Sequence, residues 1–149
     1  MTRLLVVLAG FTVGAGLMAG VAMTGTNAQH AAKAPSHSKI TIRHQMKGCH
    51  AWAVNGGAYR ATQRTTLARG GTITFVDNDV MPHKVVLTSG PAVRYSGSSA
   101  MRHMSASVRV TFRKAGVYKF ITKAGEDYPG MAMKTIGEDN VLRLTVRVS

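Results

Sequence analysis

Seven stretches of this chain set apolar against polar side chains in short runs, and no segment after residue 38 repeats with the period of a helix. The clearest run is Val141 to Val148 (VLRLTVRV), which puts Leu142, Leu144, Val146 and Val148 on one face. A two-residue period is that of a strand with one side against a core. The other runs are Lys39 to His44, Tyr59 to Leu67, Thr72 to Val76, Lys84 to Thr88, Ser107 to Phe112 and Val117 to Thr122. Short strands broken by Gly, Asn and Asp predict an all-β fold of about seven strands, a sandwich or a barrel. Two connections are long, Ser89 to Ala106 and Lys123 to Asn140, and loops of that length in a compact domain tend to carry function.

The start of the chain has a different character. Arg3 precedes an apolar stretch from Leu4 to Met23, and Thr26-Asn27-Ala28 offers small residues for cleavage before Gln29. Residues 1–28 are therefore expected to be a signal peptide, or an uncleaved anchor through residues 4–23. Residues 29–38 are expected to be a flexible lead, and residues 39–149 one domain. Such a chain is exported: periplasmic, in the cell envelope, or secreted. Nineteen Lys and Arg stand against six Asp and Glu, for a formal net charge of +13. The basic residues are scattered and aromatics are few, which argues against nucleic acid. An anionic envelope surface or an acidic partner suits that charge better, as does a simple solvated surface.

Cys49 is the only cysteine and lies beside His50 in Met46-Lys47-Gly48-Cys49-His50-Ala51-Trp52. A lone cysteine cannot close an internal disulfide, and outside the cytoplasm a free thiol oxidises unless something occupies it. A thiolate next to an imidazole is a donor pair that suits copper. Neighbours on an extended strand point opposite ways, so both reach one ion only if the backbone curls; Gly48 makes that easier. No Ser-His-acid order, paired carboxylates or phosphate-binding glycine loop points to an enzyme.

The segment GGTITFVDNDVMPHKVVL, residues 70–87, resembles the cupredoxin (blue-copper) family. In that family a strand ending in Phe leads through an Asn-containing turn to Pro-His and an apolar strand; here these are Phe75, Asn78, Pro82 and His83. Gly116 to Thr122 looks like the strand before the family's ligand loop, and Gly130-Met131 like that loop's end. The resemblance implies a cupredoxin-like Greek-key β-sandwich, with His83 as a copper ligand. It also implies two losses. Thr122 stands where the family has its cysteine ligand, and no histidine follows His103. The expected repair is a relocated site in which Cys49 gives the thiolate, His50 and His83 the imidazoles, and Met131 a weak axial thioether.

A copper site of that kind would serve electron transfer, with a redox or copper-transfer protein as partner. Zinc suits the same donors. The alternative is a copper carrier or scavenger, since Met101-Arg102-His103-Met104 resembles Met/His clusters that hold Cu(I). A third class is a metal-free interaction domain on the same fold. His44, Met46, Met81 and Met133 are weaker candidates, Glu126 and Asp127 either orient a ligand imidazole or form a solvated acidic turn, and Trp52 is expected to be a packing residue or a surface aromatic that shields the site.

Overall fold

A computed structural model describes residues 33–46, 50–124 and 141–149. The signal or anchor segment and the anchor's span, residues 4–23, lie outside them. Ten strands follow in order: β1 (His37–His44), β2 (His50–Val54), β3 (Thr62–Leu67), β4 (Thr72–Asn78), β5 (His83–Ser89), β6 (Arg94–Ser96), β7 (Ala100–Met101), β8 (Ser107–Thr111), β9 (Gly116–Ala124) and β10 (Leu142–Val148). No helix occurs among the described residues. All seven expected strands are present. The three additional ones fall in stretches expected to be connections.

The strands form two five-stranded sheets, ordered β2-β1-β4-β8-β6 and β3-β10-β9-β5-β7. Most pairs are antiparallel, but β1 runs parallel to β4 and β3 parallel to β10. Each parallel pair joins segments distant in sequence. The lead is shorter than expected, because His37 and Ser38 already belong to β1. Just before it, Pro35 O and Ser36 O accept hydrogen bonds from Ala68 N and Thr72 N.

Alternation decides what is buried. Ile40 and Ile42 of β1, Ile73 and Phe75 of β4, Val108 and Val110 of β8, Tyr118 and Phe120 of β9, and Leu142, Leu144, Val146 and Val148 of β10 all face the core. Trp52 joins them, fully buried, as the packing residue it was expected to be if not a surface aromatic. Its ring centroid lies 6.4 Å from Phe75, Phe75 lies 5.7 Å from Phe120, Phe120 lies 5.9 Å from Phe112, and Phe112 lies 4.9 Å from Tyr118. Pairs of this kind contribute about 0.5–1.5 kcal/mol each beyond the area they bury. The Tyr118 hydroxyl donates to Lys114 O at 2.6 Å, so the buried phenol leaves no polar atom unpaired.

At one end of the sandwich the same inward rows turn polar. β1 continues from Ile40 and Ile42 to His44; β2 runs back from Val54 and Trp52 to His50; β4 continues from Ile73 and Phe75 to Asp77. Asp79 follows two residues on, β5 begins with His83, and β9 reaches Thr122. His50, Asp77, Asp79, His83 and Thr122 are all buried. Polar groups at that depth are costly unless they satisfy one another.

Candidate metal centre

Register brings the first histidine pair together. His44 and His50 are directly opposed at the end of the β1–β2 ladder, and opposed residues present their side chains on the same face. His50 is buried while His44 is about half exposed, at 55%. Their rings meet edge to face at 5.8 Å. His83 is brought against His50 by β5 in the facing sheet, with ring centroids 4.8 Å apart. The two imidazoles expected from the sequence, His50 and His83, therefore adjoin.

Asp79 joins them. Its Oδ2 lies 2.7 Å from His50 Nδ1 and 3.3 Å from His83 Nε2, and its Oδ1 lies 4.0 Å from His44 Nδ1. Oδ1 also accepts the Met81 N–H at 3.1 Å, the bond that shapes the turn between β4 and β5. Burial by itself would push this carboxyl's pKa up. Hydrogen bonds from His50, His83 and the Met81 N–H outweigh that and hold it well below the usual carboxylate range. Asp79 is thus an anion that only accepts, so both imidazoles donate to it. The other ring nitrogen of His83, Nδ1, lies 3.5 Å from the Thr122 hydroxyl.

Asp77 behaves oppositely. Desolvation by burial is the largest influence and raises its pKa to about 6, although the His83 charge pulls it down. One of its oxygens receives the Asp79 N–H at 3.0 Å; the other, Oδ2, has no hydrogen-bond partner. The two aspartates, one residue apart from being neighbours, are separated by environment into an acid that holds its proton longer and a permanent anion.

His44, His50 and Asp79 each offer a ligand atom within 4.8 Å of the others, and His83 Nε2 lies on the same Asp79 oxygen as His50. Two or three imidazoles and one carboxylate form a donor set that suits Cu(II) or Zn(II). The present separations are those of hydrogen bonds. An ion replacing the shared protons needs donors about 2.0–2.2 Å from itself, which requires only small outward shifts.

Of the four residues expected to bind metal, Cys49 and Met131 lie outside the described residues, as do Met133, Glu126 and Asp127. The Met101–Met104 cluster is divided: Met101 is buried opposite His83 in the β5–β7 ladder, whereas Met104 is exposed. Asp79 was not foreseen. The sequence did carry a signal for it, because the period-two row Ile73, Phe75, Asp77 extends naturally to position 79. The same rule extends Ile40 and Ile42 to His44.

No family model and no curated protein matches the sequence. Among solved structures, the chain is similar to a purple cupredoxin from Nitrosopumilus maritimus at 18% identity, over 75% of this chain and 99% of that one, with a TM-score of 0.41. It is similar to the amicyanin of Paracoccus versutus (Thiobacillus versutus) at 22% identity, over 82% and 87%, with a TM-score of 0.39. A Cu(I) form of an amicyanin variant gives 19% identity, 74% and 82%, and 0.41. The sandwich itself stands on the strand pairing above.

Proposed function

We propose that this chain is an exported, cupredoxin-like copper protein whose ion is held at the polar end of the sandwich. His50, His83 and Asp79 would be the central donors, with His44 on the solvent side. The observation that carries this reading is the convergence of two buried imidazoles on one buried carboxylate. Copper when bound would supply a one-electron couple. The protein's part is to fix the donors. Thr122 abuts the far nitrogen of the His83 ring, the turn N–H of Met81 fixes Asp79, and apolar rows pack behind them. Rigid donors suit electron transfer because little must rearrange between oxidation states.

Cys49 precedes His50 and is the donor that would make the centre a thiolate one. Copper titration of the purified protein separates the cases. Intense visible absorption that disappears in Cys49→Ser supports the electron-transfer site with a Cys/His ligand set. Pale Cu(II) protein whose affinity falls about 10–100-fold in Asp79→Asn or His50→Gln supports a nitrogen and oxygen site and removes the thiolate version. Metal-free interaction is the second reading, favoured because Asp79 is already satisfied by hydrogen bonds. Protein that takes up neither copper nor zinc would establish it and end the copper proposal.

A further inference from the structure

The outer face of the β3-β10-β9-β5 sheet carries an arrangement that the copper reading does not use. Thr145 of β10 is in register with Arg64 of β3 on one side and Lys119 of β9 on the other. Arg143 and Arg147 lie two places before and after it on its own strand, hence on the same face. Four cations therefore ring one threonine. Their Cα positions lie about 5 Å from it across strands and about 7 Å along the strand. Arg64, Lys119, Arg143 and Arg147 are all exposed.

Among the described residues nothing acidic balances them. Asp77 and Asp79 are the acidic side chains among the described residues, and both are buried at the polar end of the sandwich. None of the four cations has an ion pair among the described residues. Like charges crowded on neighbouring strands repel and weaken a sheet. Two hollows flank the ring and share Arg64 and Thr145. One, of about 710 Å³, is also lined by Thr66, Val117 and Arg147. The other, of about 360 Å³, is also lined by Thr62, Lys119 and Arg143. On the opposite sheet Lys39 and Arg109 flank Thr74 across strands in the same way, but Thr72 and Val76 stand two places along its strand, so that arrangement holds two cations rather than four.

We propose that this face binds a linear phosphate-bearing polyanion, with separate phosphates of one strand seated in the two hollows on either side of Thr145. Arginine forks match phosphate oxygens two bonds at a time, and threonine hydroxyls supply further donors between them. A shallow double hollow favours a polymer strand over a membrane. Among the described residues the face exposes no tryptophan, tyrosine or phenylalanine of the kind that anchors proteins at a lipid interface.

The test is binding of the full chain to inorganic polyphosphate across a salt series, beside vesicles containing anionic phospholipid. The expected result is polyphosphate binding that weakens steeply with salt and drops about tenfold or more in Arg64→Gln/Arg143→Gln. The matched pair Arg94→Gln/Arg109→Gln on the other sheet should lose much less. A second variant, Thr145→Glu, places an acid at the centre of the ring. It should abolish binding and raise the thermal midpoint by relieving the repulsion, so lost binding cannot be blamed on misfolding. Equal losses in the two double variants, unchanged binding in Thr145→Glu, or binding to vesicles alone would overturn the proposal.

Discussion

Asp79 is the residue on which the polar end depends. Its two oxygens receive three donors: two imidazole N–H groups on Oδ2 and the Met81 N–H on Oδ1. An amide in its place must turn its own N–H groups toward one set of these donors. Asp79→Asn should therefore destabilise the metal-free protein by about 2–3 kcal/mol, measured by denaturant unfolding. Tyr95 offers a separate check, away from the histidines. Burial pushes its phenol above the ordinary value, partly countered by a backbone hydrogen bond at Leu87. A raised folded-state pKa gives stability that is complete below the unfolded pKa and lost as pH rises through the folded value. The protein should thus lose stability in alkali, and Tyr95→Phe should flatten that loss, as followed by unfolding together with phenolate absorbance.

At the level of elements, legibility tracked alternation. β10 and β8 were plain because one face of each is buried and the other exposed. β2 was not, because its residues His50 to Ala53 are all buried and so show no contrast from one position to the next. β6 and β7 are three and two residues long, too short for any period to register. The centre was half legible for the same reason. His50 and His83 stood out as residue types, whereas Asp79 looked like part of a turn and only register reveals that it closes a buried row. Turns carry their own demands. Gly90 follows β5 with φ +114°, and an added Cβ would lie 2.7 Å from Val117 O and 3.0 Å from Tyr118 Cα. Both obstacles are backbone and neither can rotate away. Gly90→Ala should cost about 2–3 kcal/mol in equilibrium unfolding, although alanine is otherwise the mildest replacement.

Across the whole molecule, charge and topology set opposite conditions. A formal net charge of +13, with the described acids buried, leaves the surface repelling itself. Screening relieves that repulsion, so the thermal midpoint should rise by a few degrees between low and physiological ionic strength. Thr145→Glu should show less of this rise, as calorimetry in two buffers would reveal.

The parallel pairing of β3 with β10 has a consequence for how the chain acquires its shape. β10 lies between β3 and β9, so β3 has no neighbour in its own sheet until β10 is in place. During synthesis β3 leaves the ribosome first and must wait, with a bare edge, for a segment made far later. Such an edge invites foreign strands, and the ladder that ends the wait is a slow, long-range one. This polypeptide should therefore need an escort while it is still growing, and shortening it within β10 should yield aggregates rather than a smaller domain.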